Sequence, residues 1–315
     1  MIEALCIALR YDGRMPIPEP EAVTRSLLDL FEIREVEGPE RTFEGISLPQ
    51  PGGHVFGGQM MAQALIAMAR TVPEGRRVHS TYASFLEPAR ATEPLTFTVR
   101  TLRDGGSFSA RALEVTQRGN LVLTMNGSFQ ERQEGVHHVD EVASDQSPDT
   151  LPSTRDELGQ VDHPLAQFMA YQRPVDIRNA TGSLYFTPDP EKRAEQAVWM
   201  RALTPIDTRD PLTHEAFLTY ASDYTPFEPT IRRQGLTWLT PGLRVATLNH
   251  SMWFHSDVNV DDWLLYVQRS PAATGGRSLS VGQIYTREGS LVATVNQEGM
   301  FRIRTEVKDS DHPAV

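Results

Sequence analysis

Three side chains in the second half of this sequence form a set with acid–base capability: the carboxylate of Asp223, the hydroxyl of Thr247 and the amide of Gln297. Asp223 lies in the stretch THEAFLTYASDYTPF, where Phe217, Leu218, Tyr220 and Ala221 carry the i, i+3, i+4 apolar spacing of a core-facing helix. The pattern predicts a helix over residues 214–227, stopped by Pro226, with Asp223 continuing its apolar face. A carboxylate on such a face must be partnered or functional, because burying it unpaired costs several kcal/mol or forces it to take up a proton. The competing reading of this stretch alone is a helix-terminal aspartate in solvent. Of the three groups only the carboxylate can act as a base. A threonine hydroxyl both donates and accepts, and a glutamine amide accepts through its carbonyl and donates through its NH2.

These three residues stand out because the chain repeats itself. His79-Ser80 matches His250-Ser251, Gly105-Gly106 matches Gly275-Gly276, Arg118-Gly119 corresponds to Glu288-Gly289, and LVLTMN from Leu121 matches LVATVN from Leu291. Registered on the His-Ser pairs, Thr247 falls opposite Arg76. Registered on the LVxTxN strands, Gln297 falls opposite Gly127, and the first-half helix at 58–71 has no carboxylate to match Asp223. Residues common to both halves serve the fold, whereas polar residues confined to one half are candidates for function. By the same logic His79 and His250, taken as equivalent, are fold residues.

The elements that position the set follow from periodicity. Residues 21–31 read as an amphipathic helix and 41–48 as a strand. Gly57 and Gly58 then open a helix over 59–70 that is apolar on nearly every side and so must be surrounded by protein. Residues 78–132 alternate with the period of strands, with turns at 104–106 and 118–120. The polar stretch at 131–163 is a surface connection. Strands near Arg173 and Trp199, the Asp223 helix and a second run of strands from 243 onward complete the second unit. Each unit is thus a helix held by a curled antiparallel sheet. The expected organisation is an extension at 1–14 outside the fold, a first unit at 15–132, a linker at 133–170, a second unit at 171–308 carrying the polar set, and a tail at 309–315.

Composition removes several function classes. With 30 basic and 41 acidic side chains the formal charge is −11, which argues against nucleic-acid binding by phosphate neutralisation. It leaves open an anionic small ligand held by a few local arginines. The single cysteine, Cys6, excludes an internal disulfide, and no Cys/His cluster has zinc-ligand spacing, so no metal and no cofactor is expected. The apolar start MIEALCIAL is too short to span a bilayer and lacks the features of a signal peptide. A cytoplasmic protein without membrane insertion is the expectation.

Five stretches give this reading a family. HVFGGQ at His54, TLRDGGSFSAR at Thr101, YASD at Tyr220, ATLNHSMWFH at Ala246 and VNQEG at Val295 resemble, in order and in both halves, the signature stretches of the type II acyl-CoA thioesterases, the bacterial thioesterase B-like group. The resemblance runs from about residue 27 to 304. It departs at the first 14 residues and at the PAATGGRS loop, residues 271–278. It implies an α+β tandem double hot-dog, two antiparallel sheets each wrapped around a central helix. It also implies a fatty acyl-CoA substrate and a hydrolytic water held jointly by Asp223, Thr247 and Gln297, all three of which match the family pattern.

On that reading the water attacks the thioester directly, since a thiolate of pKa about 8.5 leaves without a strong acid and without an acyl-enzyme. The N–H groups at the Gly57-Gly58-Gln59 helix start suit a developing oxyanion, provided the halves pack as pseudo-twofold mates. His54, just ahead of that helix, and Arg103, Arg269 and Arg277, near turns, are the further substrate-binding candidates, the arginines for the coenzyme A phosphates. Two other classes compete. One is a non-catalytic acyl-CoA binding module, which would not need the three polar residues. The other is a hot-dog enoyl-thioester hydratase, which would use a histidine with a carboxylate. No G-x-S-x-G elbow supports a serine nucleophile. A tandem chain already contains one pair of units, and further pairing into a homo-oligomer is compatible with the fold.

Overall fold

The computed structural model describes residues 17–304 apart from 39, 137, 141 and 143–145. The expected extension at 1–14, the tail at 309–315 and Cys6 lie outside the described residues.

The chain begins with α1 (Pro20–Phe31), β1 (Arg34–Val36) and β2 (Arg41–Gly45). The helix α2 (Gly57–Ala69) follows, then the meander β3 (Arg76–Phe85), β4 (Leu95–Asp104), β5 (Phe108–Gln117) and β6 (Asn120–Glu131). The polar connection has structure of its own, α3 (Thr154–Leu158) and α4 (Pro164–Tyr171), which pack through Leu158, Ala166 and Tyr185. The second unit comprises β7 (Val175–Asn179), β8 (Glu195–Ala202), α5 (Pro211–Ala221), α6 (Glu228–Arg233), β9 (Leu243–Phe254), β10 (Leu264–Thr274), β11 (Arg277–Thr286) and β12 (Leu291–Ile303).

The two expected sheets are continuous. Their strands run β1-β2-β4-β5-β6-β3-β9-β12-β11-β10-β8-β7, every neighbouring pair antiparallel, so the order reads the same from either end once β3 is matched with β9. The halves join where Thr81 pairs Met252 and Tyr82 pairs Ser251, with Tyr82 edge-on to Trp253 at 5.6 Å. The sheet curls around α2 and α5, which pack against each other. As its composition requires, α2 is buried from Gly58 to Met68, and α5 from His214 to Ala221.

Two expectations need correction. The helix bearing Asp223 is shorter than its apolar pattern: α5 ends at Ala221, Ser222 caps it, and Asp223 lies in the turn beyond. The intervening turn leads directly into α6, so Pro226 is not what ends α5. The second concerns repeat register. Gly127 pairs Thr81 and Gln297 pairs His250, while the bulges fall at His79 in β3 and Leu248 in β9. Thr81 is therefore the counterpart of His250, and Val78, paired to Phe129 as Thr247 is to Gly299, is the counterpart of Thr247. The His-Ser pairs that look alike in sequence are offset by two residues in the sheet. An offset of two preserves the inward–outward alternation of a strand, so hydrophobic patterning alone could not expose it.

Candidate active site

Asp223 sits where two oppositely directed helix ends meet. It follows the C-terminus of α5, where the helix dipole disfavours a carboxylate, and it faces the N-terminus of α2, where the dipole favours one. That helix has no side-chain cap of its own, since its N-cap is Phe56. Instead the Gly58 N–H donates to the Asp223 carboxylate from the other half of the chain. Glycine is required by the approach. A Cβ on Gly57 would stand 2.7 Å from Asp223 Oδ2, and one on Gly58 would stand 2.4 Å from the Tyr220 carbonyl oxygen.

The other two members come from the sheet. Thr247 on β9 and Gln297 on β12 belong to paired strands. The Thr247 hydroxyl donates to Asp223 Oδ1 at 3.3 Å and accepts from Gln297 Nε2 at 3.1 Å. Gln297 Oε1 is buried without a partner. Burial pushes the Asp223 carboxyl up to about 7, against the opposing effect of hydrogen bonds from Gly58, Thr247 and Gln297. A carboxylate poised there can be ionised near neutrality and still hold a proton well enough to act as a general base.

The surroundings fix this cluster. Tyr224, beside Asp223, stacks on Phe56 with centroids 4.8 Å apart, and its hydroxyl donates to Tyr220 at 3.0 Å. Behind it Ser222 Oγ lies 3.1 Å from His250 Nε2, and burial pushes this imidazole down to about 3. His250 is thus neutral and holds the turn rather than transferring protons, in keeping with a structural histidine.

The structure brings Asp223, Thr247, Gln297, Gly57 and Gly58 together. Gln59 is buried too, and its side chain ties down the loop before α2, accepting from Leu48 N and donating to Ile46 O and Gln63. His54 is exposed and bridges to Arg90. Arg277 pairs with Glu298, which alternates to the opposite face of β12 from the buried Gln297. Arg269 is exposed beside the buried Gln268, and Arg103 is exposed near the end of β4. None of His54 and these arginines joins the Asp223 cluster. Sequence reading missed the aromatic backing of Phe56, Tyr220 and Tyr224. The YASDY spacing around Asp223 was the available signal, because an aromatic on either side of the carboxylate must pack against it.

The chain matches two family models, that of acyl-CoA thioesterase over residues 171–300 and that of the acyl-CoA thioesterase N-terminal domain over residues 46–130. It is 32% identical to acyl-CoA thioesterase 2 of Haemophilus influenzae over 286 residues, 89% of this chain and 98% of that protein. Among solved structures it is similar to acyl-CoA thioesterase II TesB2 from Mycobacterium marinum, with 34% identity and a TM-score of 0.71, covering 89% of this chain and 99% of that one. A hot-dog-fold protein from Alicyclobacillus acidocaldarius is 21% identical with a TM-score of 0.69, again covering 89% and 99%.

Proposed function

The chain belongs to the acyl-CoA thioesterase family, and from that premise we propose that Asp223, Thr247 and Gln297 hold the water that hydrolyses the thioester of a fatty acyl-CoA. The enzyme is an acyl-CoA thioester hydrolase of the thioesterase II type, releasing a free acid and coenzyme A.

The observation carrying the proposal is the unpartnered, buried Gln297 Oε1 beside a carboxylate poised near 7. A buried carbonyl without a donor is costly, and a water that donates one proton to Gln297 Oε1 and the other to Asp223 satisfies it. That water keeps a lone pair for the thioester carbon. Asp223 accepts its proton as the C–O bond forms, the tetrahedral centre collapses by breaking the C–S bond, and the electron pair leaves on sulfur as a thiolate. Thr247 hands Gln297 and Asp223 a fixed spacing.

Within the Gly57-Gly58-Gln59 helix start, the oxyanion role narrows to one residue. Gly58 N–H is engaged by Asp223, so the donor for the developing oxyanion is the N–H of Gly57, the first residue of α2, which has no intrahelical acceptor. The hydratase reading has no support here, since no histidine hydrogen-bonds Asp223 among the described residues and His250, behind it, is neutral and turned to Ser222. The test is thiol release from palmitoyl-CoA by Gln297→Leu. This variant keeps the volume and removes the water acceptor, so kcat falls by about 10²-fold while the melting temperature holds. Unchanged kcat overturns the water site.

A further inference from the structure

A cleft opens between the start of α1, helices α3 and α4, and the edge strand β7, and one of its lining residues, Arg173, stacks on Tyr224, the residue after Asp223. Its charged lining is Arg155, Arg173, Arg178 and Asp176. Asp176 is consumed by Arg178 and Arg201, and Arg178 also donates to the Pro148 carbonyl. Arg155 and Arg173 have no carboxylate within ion-pair distance among the described residues. Each guanidinium instead lies 4.7 Å over a tyrosine ring, Arg155 over Tyr171 and Arg173 over Tyr224. Stacking of this kind holds the plane and leaves the N–H edge free for an acceptor. Arg173 Nε is moreover buried without a partner. Glu228 is the carboxylate felt by Arg173 at longer range, and burial pushes that group up toward its neutral form.

In a chain of formal charge −11, two arginines that meet no carboxylate and are each stacked on a tyrosine line one cleft, which makes it locally receptive to an anion. Planar, pre-oriented guanidinium edges suit phosphate oxygens. The position fits the reaction as well. The ring under Arg173 belongs to the residue next to Asp223 and stacks on Phe56, the N-cap of α2, so Arg173 links the cleft to the turn that carries Asp223. We infer that this cleft seats the phosphate-bearing nucleotide end of coenzyme A, through Arg155 and Arg173. The site rests on the thioesterase reading and replaces Arg103, Arg269 and Arg277 as its phosphate contacts.

The test separates the nucleotide from the thioester. Wild type, Arg155→Ala and Arg173→Lys are assayed with palmitoyl-CoA and with the palmitoyl ester of N-acetylcysteamine, which lacks the nucleotide. Binding of adenosine 3′,5′-bisphosphate to each is measured by calorimetry. Both variants should raise KM for palmitoyl-CoA by about tenfold to a hundredfold and weaken bisphosphate binding alike. Their handicap relative to wild type should vanish on the truncated ester. An unchanged KM for palmitoyl-CoA, an equal loss on both substrates, or unaltered bisphosphate binding overturns the assignment. If wild type releases no thiol from palmitoyl-CoA, the thioesterase reading is what fails, and the calorimetry still decides the cleft.

Discussion

The two ends of the paired helices are related by the pseudo-twofold of the sheet, and one is left open while the other is filled. At the open end α2 has no cap of its own, and Asp223, Thr247 and Gln297 gather there. At the other end Asp210 caps α5, accepting from the N–H groups of Leu212 and Thr213. The residue after the α2 cap is Thr71, where the α5 cap is followed by Asp223. Val78 stands in place of Thr247 and Gly127 in place of Gln297. A Cβ on Gly127 would stand 2.9 Å from Met68, so that space is already occupied. Arg111, the counterpart of Ser280 by its pairing with Gly127, lies buried there. It donates to Thr71 Oγ1, the Thr71 carbonyl and both oxygens of Asp104. The difference teaches that one scaffold can leave its polar groups short of partners at one end, where we place the catalytic set, and saturate them into a strut at the other.

Asp223→Asn breaks the open end most severely. Thiol release from palmitoyl-CoA should fall by about 10²- to 10⁴-fold, and turnover at the wild-type rate would remove Asp223 as the base. Stability should move the other way. The folded carboxyl titrates near 7 and the unfolded one near 3.8, so between those values unfolding releases a proton. The stability tied to the protonated group is full below about 4 and lost as pH rises toward 7. The Asn variant should therefore melt above wild type at pH 8 and level with it at pH 4, as scanning calorimetry would show.

Arg111→Met breaks the filled end. It removes the donors to Thr71 and to the exposed Asp104, which keeps Ser109 and Arg76, and should cost about 1–3 kcal/mol in urea unfolding, while kcat per folded molecule stays unchanged. A lost kcat in a stable protein would show the filled end to be catalytic too. Gly57→Ala sharpens the same contrast at the open end, because its methyl collides with Asp223 Oδ2. About a 10- to 100-fold fall in kcat is expected, with a smaller loss of stability than for Arg111→Met.

The smallest effect separates two buried acids on one helix and its following turn. Glu215, on α5, is also pushed up to about 7 by burial, although Arg77 beside it favours the charge. The acid limb of kcat should lie near 7, rising with pH as Asp223 ionises, and Glu215→Gln should leave it in place. A limb that vanishes with Glu215 would reassign it.

Much of this contrast was legible in the sequence. The helix and strand runs of both halves were visible in their periodicity, and the lack of an acid on the first-half helix and of an amide at Gly127 singled out Asp223 and Gln297. The exact register was not legible. Two His-Ser pairs suggested Arg76 as the counterpart of Thr247, and only the ladder, with bulges at His79 and Leu248, shows it to be Val78. The end of α5 was hidden because Tyr224 and Phe227 prolong an apolar pattern that serves packing beyond the helix. Arg155 and Arg173 stand in the stretch read as a connection and at the start of the second unit, and that neither meets a carboxylate within ion-pair distance among the described residues is a fact of three dimensions.

Direct attack by water at a thioester held above Asp223 is the step on which the proposed mechanism depends. A single turnover of palmitoyl-CoA by excess enzyme in ¹⁸O-water, followed by mass spectrometry of the palmitate and of the peptide containing Asp223, tests it most directly. Label in the palmitate and none in the peptide is the predicted result. Label in the Asp223 carboxylate would mean a mixed anhydride opened by water, and would contradict it.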